Sequence, residues 1–167
     1  NRSPSAIRAG KRLMNLSNAT LDASGGQGGH IALRAAADSQ PGNPQPLPDV
    51  PGQGRLALMG NTTLSTRGRR GQGGSSTLLG EQIELWDQTS IDATGATGGG
   101  TVLVGGDWQG SGNTRQATKV TMEAGASIDA SATDKGDGGK VVLWSDIHNV
   151  DSVTAVHGSI KAEAGPN

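Results

Sequence analysis

The sequence predicts an all-β protein, a right-handed parallel β-helix of about five coils with three short strands in each coil. The first observation behind this prediction is a unit that recurs without gaps at 56–66, 83–93 and 120–130, with apolar residues on alternate positions. A period of two is typical of a strand with one buried face. The return of such a unit along the chain indicates a repeat architecture.

The second observation is the composition. Glycine accounts for 28 of the 167 residues, more than twice its usual share of roughly 7%. The chain has three Trp residues but no Phe and no Tyr, although a globular core of this size normally uses large aromatic side chains. A narrow stack of Ile, Leu, Val and Ala does not need them. The composition therefore favours a thin solenoid over a sandwich or an α/β domain.

The strands of the solenoid can be placed by the apolar residue at the centre of the second strand of each coil. Five residues occupy this position and are predicted to form a core ladder: Leu21, Leu64, Ile91, Ile128 and Ile160. Their unequal spacing predicts that extra residues are carried in loops while the strands stay alike. Neighbouring coils are expected about 4.8 Å apart, the ordinary spacing of strands in a sheet.

A Gly-Gly pair follows four of these five positions. The pairs are 28–29, 73–74, 98–99 and 138–139. A short apolar strand follows each pair, least clearly at 78–79. We expect these glycines to supply a positive φ at a tight corner between two strands.

The remaining length predicts two main surface inserts on a single solenoid domain, 1–167. The insert 36–53 holds five of the seven prolines and is expected to be an extended loop, because proline cannot donate to a strand ladder. The insert 105–117 is rich in glycine, and a shorter one lies at 145–149.

Several function classes are disfavoured by composition. A net charge of −1 argues against a nucleic-acid partner, which usually meets a strongly basic face. Without cysteine there is no disulfide framework or thiolate metal site. The sequence has no run of about 18 apolar residues, so it predicts no membrane-spanning helix. The three histidines, His30, His148 and His157, show no metal-binding spacing. We expect no cofactor.

Two stretches, 90–110 and 126–146, contain the runs Gly-Gly-Asp-Trp-Gln-Gly and Gly-Gly-Lys-Val-Val-Leu-Trp-Ser-Asp. With them the chain resembles, over roughly 13–164, the repeat region of the filamentous haemagglutinin-like exoproteins. These are giant bacterial surface proteins exported by two-partner secretion. The resemblance implies a right-handed β-helix, an extracellular or outer-surface location and an adhesive or scaffolding role.

The chain departs from this family in two respects. We find no counterpart of the N-terminal secretion domain that the family uses for export. The sequence also ends where the family continues with another glycine-rich turn. Both departures predict a fragment of a longer precursor, or a short relative that assembles end to end.

Candidate ligand contacts lie in two loops. Asp107 and Trp108 belong to the glycine-rich insert, and Arg67, Arg69 and Arg70 form a small basic turn. An exposed Trp commonly stacks on sugar rings or fills a partner's pocket, but it also packs inserts against a wall. The arginines suit an acidic polysaccharide, although a solvated loop has the same composition.

A column of carboxylates, Asp22, Asp92 and Asp129, occupies equivalent outward positions. Stacked carboxylates can hold Ca²⁺ or supply the acid and base of a polysaccharide hydrolase or lyase. This column is interrupted by Ser65 and followed by Lys161. We therefore expect a solvated face, with no metal, no catalytic residues and no enzymatic activity.

Three functions remain to be compared. The favoured one is a secreted structural solenoid that stacks head to tail with copies of itself into a filament or surface fibre. The second is an adhesin segment that binds surface glycans through its inserts. A polysaccharide-degrading enzyme comes last, because the carboxylate column is broken.

Overall fold

The computed structural model describes residues 13–35 and 53–166, together with the backbone of 5–9. The predicted proline-rich insert, 36–53, lies outside the described residues apart from Gln53. Within the described ranges the one helical segment is a single 3₁₀ turn at Trp108–Gly110. No helix there is long and apolar enough to cross a lipid bilayer.

The described residues form fifteen strands in three five-stranded sheets, and all the strand pairs are parallel. Sheet A consists of β1 (Ser5–Ala9), β4 (His30–Ala35), β7 (Ser75–Leu79), β10 (Thr101–Val104) and β13 (Lys140–Leu143). Sheet B consists of β2 (Leu13–Ser17), β5 (Arg55–Met59), β8 (Gln82–Leu85), β11 (Lys119–Met122) and β14 (Val153–Val156). Sheet C consists of β3 (Thr20–Asp22), β6 (Thr63–Ser65), β9 (Ser90–Asp92), β12 (Ser127–Asp129) and β15 (Ser159–Lys161).

The chain visits sheets A, B and C in turn, so one circuit makes one coil and each strand pairs with the strand three places further along. This topology confirms the predicted parallel β-helix of five three-stranded coils. Parallel strands need long connections, and here the other two strands of each circuit provide them. The strand β7, which had the weakest alternation in the sequence, is a complete member of sheet A.

The core is a set of aliphatic columns that run along the solenoid. In sheet C the Cα partners in successive strands are Leu21, Leu64, Ile91, Ile128 and Ile160. The three central members are fully buried, and parallel columns in sheet B contain pairs such as Leu58 with Leu85. Burying one such side chain stabilises a fold by about 1.5–3 kcal/mol. Each added coil therefore extends the same core.

The Gly-Gly pairs do not have the role that the sequence suggested. Among their eight residues one, Gly98, has a positive φ, of 157°, close to extended backbone. A Cβ added at Gly99 would lie 1.7 Å from the carbonyl oxygen of Ala130 and 2.3 Å from the nitrogen of Gly139. The prediction of positive-φ corners here is wrong. These glycines instead let the backbones of neighbouring coils approach closely.

Positive φ occurs at the corner between sheets B and C. Asn18, Gly60 and Gln88 occupy this corner in three coils, with φ of 50°, 60° and 68°. Two of these three residues are not glycine. Asn tolerates this left-handed conformation better than most residues do. The positive φ at these corners is therefore adopted without the Gly-Gly pairs.

Candidate functional site

The C-terminal end of the solenoid leaves part of its core uncovered. Ile160 is 42% exposed, whereas its partner in the previous coil, Ile128, is 1% exposed. Val156, the last member of a sheet B column, is 41% exposed, whereas its partner Met122 is fully buried. In the described part of the chain the last strands, β13, β14 and β15, each pair on one side. Apolar columns and unpaired strand edges therefore face outward together.

The opposite end of the solenoid presents the first strands, β1, β2 and β3, which, among the residues that the structure describes, also pair on one side. Its core residues are better covered, since Met14 is buried and Leu21 is half-buried. The outward-facing residue that follows the core position in each strand of sheet C is Asp22 at this end and Lys161 at the other end. The two ends of this column therefore have opposite charges.

The predicted carboxylate column exists, and each carboxylate closes a turn. Asp92 Oδ1 accepts hydrogen bonds from the backbone nitrogen of Thr94, at 2.9 Å, and from its hydroxyl, at 2.6 Å. The backbone nitrogens of Ser24 and Ser131 donate in the same way to Asp22 and Asp129, at 2.7 and 2.9 Å. Such Asx turns are a structural use of Asp. In the ranges that the structure describes, no cluster of three His, Asp or Glu side chains has a metal-binding arrangement.

The predicted basic turn lies partly beside this column. Arg67 lines an open groove of about 460 Å³ on sheet C together with Asp92, Asp129 and Lys161. Arg69 is turned toward the first coil and donates from Nη2 to Ser24 Oγ at 3.3 Å. Arg70 is exposed. The three arginines therefore do not converge on one site, and Arg67 faces acidic as well as basic groups.

The glycine-rich insert 105–117 is a compact loop whose ends meet, because the nitrogen of Ala117 donates to the carbonyl oxygen of Gly105 at 2.7 Å. Asp107 Oδ1 accepts from Lys140 Nζ at 2.8 Å and from the nitrogen of Trp108 at 2.6 Å. These two bonds hold the pKa of the Asp107 carboxyl below its usual value. The Trp108 side chain that follows is 60% exposed.

The indole that packs against this insert is Trp144. Its Nε1 donates to Gln116 Oε1 at 2.8 Å. A Cβ built on Gly106 would lie 2.8 Å from Cδ1 of the Trp144 ring, so the ring lies directly against that glycine. The insert is therefore attached to the solenoid at its base, and Trp108 is left at the surface.

Sequence reasoning missed a buried arginine, Arg115, within the insert 105–117. Arg115 is 2.7 Å from Glu81 Oε2, and both side chains are largely buried. The same guanidinium donates to the carbonyl oxygens of Gln53, at 2.5 Å, and of Ala35, at 3.5 Å. Arg115 thus joins the insert 105–117 to the two residues that flank 36–52. Nothing in the polar loop around Arg115 distinguished it in the sequence.

A second groove, of about 280 Å³, was also missed. It lies on the outer face of sheet B and is lined by Arg55, Glu84, Leu85, Trp86, Lys119, Thr121 and Glu123. Arg55 binds Glu84 through two hydrogen bonds, from Nε at 3.1 Å and from Nη2 at 2.6 Å. Trp86 Nε1 donates to the same carboxylate at 2.9 Å. In the sequence, Trp86 had no feature beyond its position after a strand.

No protein-family model matches this sequence, and no curated protein matches it. Among solved structures the chain is similar to the HMW1 secretion domain from Haemophilus influenzae, with a TM-score of 0.56 and 21% sequence identity over 93% of this chain. The likeness shows the fold. This chain spans 39% of the length of that solved chain. The solved structure is itself a secretion domain.

Proposed function

We propose that this chain is a secreted, non-catalytic β-solenoid that stacks end to end, the last coil of one copy on the first coil of the next, into an extracellular filament. The observation that carries the proposal is the partly exposed core at the C-terminal end, where Ile160 and Val156 are 42% and 41% exposed. Exposed aliphatic columns beside unpaired strand edges favour the addition of another coil.

The two ends are complementary when the register of the solenoid is continued across the junction. Each strand of sheet C pairs residue by residue with the next, as Ser127, Ile128 and Asp129 do with Ser159, Ile160 and Lys161. Continuation of this register places β15 of one copy on β3 of the next. Ile160 then covers Leu21, which closes the apolar column.

The same register brings together the charges at the two ends. Lys161 would lie beside Asp22 of the next copy, so that a cation meets a carboxylate at about the 4.8 Å spacing of neighbouring strands. Such a pair contributes little to affinity at an exposed site. It does favour this register over one in which two carboxylates meet.

Secretion is supported by the residues that resemble the haemagglutinin-like exoproteins and by the fold shared with a secretion domain. A structural rather than an enzymatic role is supported by the carboxylates of sheet C. Asp92 and Asp129 both accept hydrogen bonds from the turn that follows them. Carboxylates used in this way are poorly placed to act as an acid and base pair.

The test is sedimentation velocity of the purified chain at concentrations from micromolar to millimolar, together with electron microscopy. We expect concentration-dependent polymers with an axial repeat of about 24 Å, five strand spacings. Ile160→Lys places a charge on the exposed end and should abolish the polymers. Val150→Lys is the matched control, because Val150 is almost fully exposed and lies outside the strands. A chain that stays monomeric over the whole range, or polymers that survive Ile160→Lys, would contradict end-to-end stacking.

A second function, an adhesin segment that binds glycans through its inserts, is favoured by one observation. Trp108 is presented at 60% exposure on a loop that is held by the Asp107–Lys140 pair. The expected result is glycan binding that is lost in Trp108→Ala. Glycan binding that is unchanged in this variant would contradict binding through the insert 105–117.

A further inference from the structure

The groove on the outer face of sheet B contains an aromatic ring that is fixed before any ligand arrives. Trp86 is 40% exposed, yet its Nε1 is bound to Glu84, which is itself held by the Arg55 guanidinium. Burial opposes ionisation of the Glu84 carboxyl. The hydrogen bonds from Arg55 and Trp86, with the nearby charges of Arg55 and Lys119, outweigh that effect and keep its pKa below its ordinary value. The Trp86 ring is therefore held by an ionised carboxylate, that of Glu84, which also accepts hydrogen bonds from Arg55.

Polar side chains continue from this ring along one strand. Lys119, Thr121 and Glu123 occupy alternate positions at and just after β11, so all three point to the outer face. They span about 13 Å at the usual rise per residue. Glu123 Oε2 also accepts a hydrogen bond from the nitrogen of Asp87 at 3.2 Å, which fixes that end of the groove.

The charges that line the groove balance. Arg55 and Lys119 are positive, while Glu84 and Glu123 are negative. A balanced lining gives no net attraction to a polyanion such as nucleic acid. The combination of one flat apolar ring and several side-chain donors and acceptors matches a ligand that has both an apolar face and many hydroxyl groups.

We propose that this groove binds an uncharged saccharide chain, with one sugar ring stacked on the indole of Trp86. The sugar hydroxyls donate to the carboxylate of Glu123 and accept from Lys119, and Thr121 lies between these two groups. The groove is on the side of the solenoid, so it stays open in an end-to-end filament. The proposal is independent of the stacking mechanism and of the Trp108 insert.

The test is binding of four neutral oligosaccharides, the hexamers of cellulose, xylan, chitin and amylose, measured by isothermal titration calorimetry and ligand-observed NMR on the full chain. We expect at least one to bind with a dissociation constant of about a millimolar or tighter. Trp86→Ala should weaken this binding by about tenfold or more, since a central aromatic side chain often dominates a site. Glu123→Gln is a second variant that keeps the size of the side chain and should also weaken binding.

The matched control is Ile147→Ala, which shortens a large apolar side chain that is exposed outside the groove. It should bind as the unchanged chain does, and thermal unfolding should show that all variants are folded. Binding that is lost in Trp108→Ala but kept in Trp86→Ala would place the sugar on the insert and overturn the proposal. It would also be overturned if none of the four hexamers bound at millimolar concentration, or if an acidic oligomer such as oligogalacturonate bound more tightly than every neutral one.

Discussion

A middle coil and the last coil of this solenoid are built from the same kinds of residue but differ in what covers them. Ile91, in the third coil, is 1% exposed, and Ile160, two strands further along the same column, is 42% exposed. Both are isoleucines at the same strand position. Burial in a solenoid therefore depends on neighbouring coils and not on the residue itself.

The glycine turns show the same contrast between the middle and the end. A Cβ at Gly99 would collide with Ala130 and Gly139, which belong to the coil above and are held by their own pairing. A Cβ at Gly138 would meet Ala162, at 2.0 Å, in the segment that follows the last strand. The backbone at Asp129 and Ala130 is hydrogen-bonded to coils on both sides, whereas the described backbone around Ala162 is bonded to one coil, so the second can move more easily.

The largest effect that we expect is from Gly99→Ala. The added Cβ would have to displace the backbone of Ala130 and Gly139, which are hydrogen-bonded to each other just outside β12 and β13. The free energy of unfolding should therefore fall by more than about 4 kcal/mol, or the chain should fail to fold. Gly26→Ala is the control, because a Cβ there meets no atom within 4 Å. We expect that control to change stability by less than about 1 kcal/mol. Urea denaturation measures both, and similar losses in the two variants would mean that the close approach of the coils is not the cause.

Gly138→Ala tests the same close approach of backbones at the C-terminal end of the stack. Its neighbour Ala162 lies beyond the last strand and can move with less loss of pairing. The loss of stability should therefore fall between those of the other two glycine variants. A loss as large as that of Gly99→Ala would show that the C-terminal segment is as constrained as a middle coil.

The next effect compares the two isoleucines directly. Ile91→Ala leaves a cavity in a closed core and should cost about 3 kcal/mol. Ile160→Ala removes a half-exposed side chain and should cost about 1 kcal/mol, measured by urea denaturation at low protein concentration. Equal costs would indicate that the last coil is already covered in solution. In that case the cost of Ile160→Ala should increase with protein concentration, as stacking requires.

Much of the fold was predictable because the apolar period of two reports burial directly. The positions Leu64, Ile91 and Ile128 are central to their strands and fully buried, so sequence pattern and structure agree on them. The role of the Gly-Gly pairs was not predictable from the dipeptide alone. Glycine is favoured both where φ is positive and where two backbones approach closely. Which of these reasons applies at a given Gly-Gly pair depends on a neighbouring coil that is distant in sequence.

The candidate sites were less predictable for a related reason. Glu84, Trp86 and Lys119 come together because β8 and β11 are neighbours in sheet B, and no local motif records that pairing. Arg115 meets Glu81 and Gln53 across long stretches of sequence. Sequence reasoning found exposed residues in loops, such as Trp108. It could not find sites that the register of the coils assembles.

The smallest effect that we expect is a pH dependence from the Arg55–Glu84 pair, which joins two middle coils. Against the opposing effect of burial, the Arg55 guanidinium and the Trp86 indole hold the pKa of the folded Glu84 carboxyl below the ordinary value of 4.5. A lowered folded pKa means that the pair stabilises the fold above the unfolded pKa and that this contribution is lost as pH falls through the lower, folded value. The pair is partly exposed, with Arg55 at 44%, so the contribution should be only about 0.5 kcal/mol.

Glu84→Gln isolates this contribution, because glutamine keeps the size of the side chain and does not titrate. The difference in stability between the unchanged chain and this variant should be present at pH 7 and should shrink as the pH is lowered below 4.5. Salt should reduce the difference at pH 7, since exposed charges are screened. A difference that stays constant down to pH 3 would show that Glu84 acts through packing against Trp86. The stabilisation would then come from this packing and not from the charges of the Arg55–Glu84 pair.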